Sequence, residues 1–346
     1  MQNLLFNDKK NYSKDSKALS HNSRNNMMDL IEDDLKLVNS FMISQIKSEV
    51  PLIPLLSKYL VNSGGKRIRP ALTILFSKLF DYNYGSRHIS LSACIELIHM
   101  ASLLHDDVVD DSYLRRGQKT ANKIWGNKAS VLVGDYIFTK AFQIMVEDQD
   151  LKVLQNLSNA SKSLAQGEVM QLSLINNLDI DVKKYFKVIE DKTAKLFSSS
   201  AMVGGIISKC SDEIVSKLDK FGKNIGIAFQ LLDDSLDYEC SKNNTGKNIG
   251  DDFKEGKITF PVLLALKKAN SSEKNFWKRV IEDLDQKKND FKIAQSLLVK
   301  HNCIIETQNI AKQYAKKAEE ILKIFPQNIY NDALVELTRF VFTRSN

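Results

Sequence analysis

Two acidic stretches hold the residues of this sequence best suited to chemistry. The first reads His105-Asp106-Asp107-Val108-Val109-Asp110-Asp111 and the second Gln230-Leu231-Leu232-Asp233-Asp234-Ser235-Leu236-Asp237. Each contains DDxxD at the end of an apolar run with helical spacing. Residues four apart share a helix face, so Asp106 points with Asp110, and Asp233 with Asp237. Like charges at that spacing repel, and a helix C-terminus already carries partial negative charge. The placement is unfavourable twice over, and a divalent cation reverses the sign of both effects. All the donors are hard oxygens, with no cysteine and no zinc-type His–carboxylate spacing nearby. That selects Mg2+, with Mn2+ as a substitute. One DDxxD alone also describes a solvated acidic helix end; two, each behind an apolar run, fit that description poorly.

Cations accompany the acids. Gly64-Gly65-Lys66-Arg67-Ile68-Arg69-Pro70 is a compact basic turn ahead of a helix. Glycines let a backbone approach an anion, and arginine forks match phosphate oxygens. Arg115-Arg116-Gly117 follows the first acidic stretch by a few residues, close enough to pair with it or to share a ligand with it. Lys192-Thr193 sits in a helical stretch, and Lys247 and Lys257 flank the end of a Gly/Asn/Lys loop, Ser241–Gly256. His99 lies seven residues before Asp106 and shares its helix face, which draws it towards the site, although a lone histidine on an apolar helix is more often a core residue. Neither GxxxxGK[ST] nor GxGxxG occurs, and no Ser-His-Asp or Cys-His arrangement can be singled out. The pattern points to metal-assisted handling of a diphosphate without a protein nucleophile.

Helices must position these groups. Ile31, Leu35, Val38, Met42 and Ile46 form one apolar stripe; Leu91, Cys94, Ile95, Leu97, Ile98, Ala101 and Leu104 form a broader one. Further helical stretches are expected over Ser130–Glu147, Leu151–Leu178, Val182–Cys210, Ser211–Tyr238, Thr259–Ala269 and Leu334–Phe342. No two-residue alternation persists, so essentially no sheet is expected. The chain has 346 residues, 43% of them hydrophobic, and only 14 glycines and 5 prolines. That is about half of average Gly and Pro usage, too few for a turn-rich sandwich or barrel. The expected fold is all-α, a single large helical bundle.

Residues 1–28 are rich in Asn, Ser and Lys without periodicity and read as a flexible polar tail, leaving 29–346 as the folded unit. The tail lacks the apolar core of a secretory signal, and its Asp8 and Asp15 oppose a transit peptide. Four scattered cysteines without a CxxC pair suit a reducing compartment, and a cytoplasmic location is expected. No apolar run approaches the ~18 residues of a membrane span. The net charge of +7 permits anionic partners and selects none of them; the carboxylate clusters oppose nucleic acid.

Taken together, GGKRIRP at 64–70, ELIHMASLLHDDVVDDSYLRRG at 96–117, KTAKLF at 192–197, FQLLDDSLDY at 229–238 and GKNIGDDFKEGKITFP at 246–261 resemble the trans-isoprenyl diphosphate synthases, or polyprenyl synthetases. The likeness runs from about Leu35 to Arg344 and leans towards the long-chain, octaprenyl-forming members. It implies an isoprenoid-synthase-type bundle around a deep central cavity, usually a homodimer. It implies Mg2+ on Asp106, Asp110 and Asp233, with Asp107, Asp234 and Asp237 supporting the clusters. Isopentenyl diphosphate would be held by Lys66, Arg69, His99 and Arg116. The allylic diphosphate would be surrounded by Arg115, Lys192, Thr193, Gln230, Lys247 and Lys257, with Lys192 also counted as catalytic.

The implied activity is repeated condensation of isopentenyl diphosphate onto an allylic primer such as farnesyl diphosphate. The product would be a long all-trans chain, of octaprenyl length, serving a quinone side chain such as that of ubiquinone. Product release would involve transient membrane contact. Small residues before the first motif, Ala101 and Ser102, would open the chain-length pocket, with Phe138 or Phe142 as its floor. Alternatives are a shorter-chain synthase making farnesyl or geranylgeranyl diphosphate, and a class I terpene cyclase. The second DDxxD and the Lys66–Arg69 turn argue for two diphosphates and against the cyclase. A non-catalytic subunit would have damaged aspartate motifs, and these are complete.

Overall fold

The computed structural model describes residues 28–239 and 249–342. In chain order, α1 (Glu32–Gln45), α2 (Leu52–Asn62), α3 (Ile68–Leu79) and α4 (Arg87–Val109) precede a small antiparallel hairpin, β1 (Leu114–Arg115) and β2 (Gln118–Lys119). Then come α5 (Ala121–Trp125), α6 (Asn127–Glu147), α7 (Leu151–Leu174) and α8 (Val182–Ile189). A π-helical turn, Glu190–Ala194, leads into α9 (Lys195–Ile207) and α10 (Asp212–Leu236). The rest is α11 (Asp251–Lys254), α12 (Phe260–Lys268), α13 (Ser271–Trp277), a second π turn (Lys278–Glu282), α14 (Asp290–Lys300), α15 (Cys303–Leu322) and α16 (Ile329–Phe342). The all-α expectation holds, with one two-residue hairpin added among the described residues. The tail, apart from Met28, lies outside the described residues, as does Lys247.

Local chemistry sets several helix starts. Side chains of Asp150, Asp181 and Ser211 accept from the N–H groups of Lys152 (3.0 Å), Lys184 (2.8 Å) and Ile214 (3.4 Å). Such caps contribute about 1 kcal/mol each. The apolar stripe of α4 is wide enough to be buried on most sides, and α4 packs against α1, α3 and α6. On the other flank α9 lies between α3 and α10, and α10 packs on α15. Phe76 of α3 meets Phe221 of α10 edge-on, with ring centroids 5.1 Å apart. Buried side chains of this size each stabilise the fold by roughly 1.5–3 kcal/mol. By length and composition alone, α6 is apolar enough to cross a membrane; here its inner face packs on α4.

The helix expected over Val182–Cys210 runs unbroken from Val182 to Ile207, with one π turn inside it at Glu190–Ala194. Two glycines let neighbouring helices close on this turn. A Cβ on Gly167 of α7 would fall 2.5 Å from Lys192 N, and one on Gly226 of α10 2.4 Å from Ala194 Cα. A wider turn gripped from both sides presents Lys192 and Thr193, consecutive residues, to one cavity. Such π turns recur at functional sites.

Candidate active site

A cavity of about 720 Å³ opens between α4, α7, the π turn and α10. Both acidic clusters end on its wall. Asp110 caps the C-terminus of α4, its N–H donating to Asp106 O at 2.8 Å, and Asp237 caps α10 in the same way against Asp233 O at 3.2 Å. Asp106, Asp110, Asp233, Asp234 and Asp237 all line the cavity. Asp107 does not: it is 1% exposed and turned behind the wall, accepting from Arg115 Nε (2.8 Å) and Nη2 (2.7 Å).

Lysines stand against the carboxylates. Lys257 Nζ is 2.8 Å from Asp110 and 2.5 Å from Glu255. Burial works against its charge, but Asp110 and Glu255 outweigh that and hold the ammonium above its ordinary range. Lys192 Nζ lies 2.5 Å from Glu168, 2.5 Å from Gln171 Oε1 and 4.0 Å from Asp106. Burial pushes the Asp106 carboxyl up to about 7; Lys192 opposes the shift, and Glu168 and Asp110 add to it.

A hydrogen-bond chain fixes the second cluster. Thr193 Oγ1 donates to Gln230 Oε1 (2.9 Å), and Gln230 Nε2 donates to Asp234 Oδ1 (2.9 Å). The Tyr185 hydroxyl (2.5 Å) and Phe260 N–H (3.2 Å) donate to Asp234 Oδ2. Burial, followed by nearby Asp252, raises Asp234 to about 7 against these donors.

The other end of the cavity is basic. Lys66, Arg67, Arg69, His99, Arg115 and Arg116 line it. Lys66 Nζ sits 4.8 Å from the Phe340 ring centroid and the Arg69 guanidinium 4.4 Å from that of Phe197. Burial brings Arg69 down to about 10. Burial and then the surrounding arginines push His99 well below its ordinary value, so its imidazole is neutral.

The donor set suits a hard divalent cation. It is all oxygen, and the Lys257 ammonium lies on Asp110 where a cation's charge is wanted. Among the described residues no three His, Cys, Asp or Glu side chains enclose a single point. An ion such as Mg2+ takes a few carboxylates and completes its shell with water and ligand phosphates.

Three pocket residues are corrected. Ala101 is 1% exposed and absent from the cavity wall, while its neighbour Ser102 does line the cavity. Phe138 and Phe142 are 37% and 47% exposed on the outer face of α6, so neither is a floor. Their helical phase, set by Ile137, Ala141 and Ile144 facing inward, turns them out.

Sequence reasoning missed Glu168, Gln171, Tyr185, Glu96 and Asp252, all site neighbours. Glu168 and Gln171 carried a readable signal, two polar side chains three apart beside Gly167 on an otherwise mixed helix.

The chain has clear relatives. A family model described as polyprenyl synthetase matches residues 50–298. Octaprenyl diphosphate synthase of Escherichia coli K12 is 40% identical over 319 residues, covering 91% of this chain and 97% of that protein. An all-trans-nonaprenyl-diphosphate synthase of Rhodobacter capsulatus, described as geranyl-diphosphate specific, is 34% identical over 314 residues, covering 91% and 96%. Among solved structures, a polyprenyl synthase from Caulobacter crescentus CB15, complexed with calcium and isoprenyl diphosphate, superposes with a TM-score of 0.90. It is 40% identical, with 93% of this chain and 98% of that one covered.

Proposed function

The chain belongs to the polyprenyl synthetase family of trans-prenyltransferases, and from that premise we propose a long-chain all-trans polyprenyl diphosphate synthase of octaprenyl length, working on isopentenyl diphosphate and an allylic primer such as farnesyl diphosphate. The observation that carries this reading is one cavity with two acidic helix ends on one side and a cluster of cations on the other. Two diphosphates need two cationic subsites; a terpene cyclase needs one.

In this reading Asp106, Asp110 and Asp233 hold Mg2+, which when bound neutralises charge on the allylic diphosphate as it leaves. Arg115, Lys192, Thr193, Gln230, Lys247 and Lys257 orient that group and stabilise the negative charge it gains when its C–O bond breaks. Lys66, Arg69, His99 and Arg116 fix isopentenyl diphosphate so that its double bond faces the allylic cation. Neutral His99 donates or accepts without adding charge. Apolar walls such as Leu103, Leu164, Phe197 and Phe229 keep water from the cation. The electron pair of the double bond forms the new C–C bond, and the departing diphosphate takes the proton lost next to it. The product is an allylic diphosphate five carbons longer, ready for another round.

Residues 29–346 form the catalytic domain in this proposal. The exposed apolar face of α6, with Leu132, Phe138, Phe142 and Val146, supports a homodimer. A cytoplasmic enzyme that touches the membrane transiently to release product for a quinone side chain such as that of ubiquinone completes the reading. Its test is consumption of farnesyl diphosphate with and without isopentenyl diphosphate. Dependence on both supports it, and turnover of the allylic substrate alone indicates a cyclase.

A further inference from the structure

The basic end of the cavity holds a buried carboxylate. Among the described residues lining the cavity around Lys66, Arg67, Arg69, His99 and Arg116, Glu96 is the acidic one, 5% exposed, while Asp107, paired with Arg115, lies behind the wall. Glu96 sits on α4 one turn before His99 and ten residues from Asp106, too far along the helix to belong to the acidic cluster. Its Oε1 accepts from Arg67 Nη1 at 2.6 Å. The other nitrogens of Arg67 are also spent on the protein: Nε donates to Asn39 Oδ1 (3.1 Å) and Nη2 to Val61 O (3.0 Å). Arg67 is held with φ +46, a left-handed conformation disfavoured for a side-chain-bearing residue, at the point where the chain turns into α3. Arg69 differs: its Nε is buried without a hydrogen-bond partner.

We propose that Glu96 is a positioning residue of the isopentenyl diphosphate subsite, locking Arg67 as a strut that sets where Arg69 and Arg116 meet the diphosphate. This rests on reading the basic end as that subsite. The arrangement explains why a site for an anion tolerates a buried anion of its own. Without a counter-charge, Arg67, Arg69 and Arg116 would repel one another in a poorly solvated space. Burial lowers the Arg116 guanidinium below its ordinary value, Glu96 opposes that shift, and Arg115 and Arg67 add to it. Arg67 also anchors the turn itself. Gly65 lies so near that a Cβ there would be 2.9 Å from Arg116 Nη1 and 3.2 Å from Arg67 Nη1. A shift of Arg67 therefore moves both the Gly64–Lys66 backbone and Arg116, two walls of the same subsite.

Glu96→Gln tests this, because it keeps shape and hydrogen bonding but removes the charge. The expected result is a KM for isopentenyl diphosphate raised about tenfold, the scale of one charge-assisted hydrogen bond. The KM for farnesyl diphosphate should stay within about twofold, since that substrate is held at the other end of the cavity. Arg67→Gln is the second variant and should give the same split. The double variant should be no worse than either single one, because both act through one contact. Lys66→Ala is the control. If it raises the KM for isopentenyl diphosphate and Glu96→Gln does not, or Glu96→Gln alters both substrates equally, the role of Glu96 is overturned while the subsite stands. If Lys66→Ala leaves that KM unchanged, the subsite reading falls and Glu96 with it. Should Glu96→Gln fail to fold, Arg67→Gln decides alone by the same split.

Discussion

Lys257 Nζ lies 2.8 Å from Asp110 Oδ2, both side chains nearly out of solvent, and the pair ties the segment after the second acidic cluster to the tip of the first. Asp106 and Asp110 are thereby partly neutralised by protein ammonium groups, Lys257 directly and Lys192 at 4.0 Å from Asp106. Removing Lys257 should leave carboxylates stranded. Breaking a buried pair from one side costs roughly 3–5 kcal/mol. Lys257→Gln should therefore melt several degrees lower than the parent in EDTA, with the gap narrowing when Mg2+ and inorganic diphosphate are added. Calorimetry showing the same gap with and without them would mean that the lysine and the metal do not answer the same charge.

The aspartates should be needed for turnover and not for the fold. Asp106→Ala or Asp233→Ala removes a proposed metal ligand and also relieves repulsion at a helix end. Steady-state rates should fall by orders of magnitude while circular dichroism and melting temperature stay at or above parental values. Near-parental turnover in either variant would overturn the assigned site.

Phosphate contacts are local, so the two ends of the cavity should separate kinetically. Arg69→Ala should raise the KM for isopentenyl diphosphate more than that for farnesyl diphosphate, and Lys192→Ala should do the reverse. Equal effects on both substrates would show that the partition between the ends is wrong.

His99 makes a pH prediction with a definite sign. Burial, then Arg69, Arg116, Arg115 and Arg67, lower its folded value well below the ordinary one. Below about 6.5 the unfolded chain binds a proton that the folded chain refuses. Stability therefore rises with pH up to about 6.5 and is flat above it as far as His99 is concerned. His99→Gln should flatten that acid-side slope in urea titrations run between pH 5 and 8. An unchanged slope would mean that His99 titrates normally.

The pocket wall gives a contrast between neighbours. Ser102 lines the cavity and Ala101 does not. Ser102→Phe should shorten the product while the protein still folds. Ala101→Phe should overpack the helix contact at a cost of about 1–3 kcal/mol. Chromatography and melting of the two variants check this; a shortened product from a stable Ala101→Phe variant would reverse the assignment.

Much of this site was legible because its chemistry is written in short windows. DDxxD at a helix end places its own side chains, so Asp106, Asp110, Asp233 and Asp237 could be assigned to shared faces before any tertiary contact was known. The helix carrying Lys192 was legible as helix and not as a π turn. The extra residue in that turn answers to Gly167 and Gly226 arriving from other helices, and apolar spacing does not report such contacts. Tyr185 stayed hidden for the same reason: its partner Asp234 lies 49 positions away. Phe138 and Phe142 failed because a helix of mixed apolar pattern does not declare which of its faces is inward.

In the proposed reaction this cavity joins isopentenyl units to an allylic primer again and again. The most direct measurement incubates the purified protein with Mg2+, farnesyl diphosphate and labelled isopentenyl diphosphate, then separates the dephosphorylated products by reversed-phase chromatography. The proposed reaction gives label in a ladder of all-trans alcohols ending on the order of eight isoprene units, and none when Mg2+ is chelated. Label that stays in unreacted isopentenyl diphosphate while farnesyl diphosphate is consumed would contradict it.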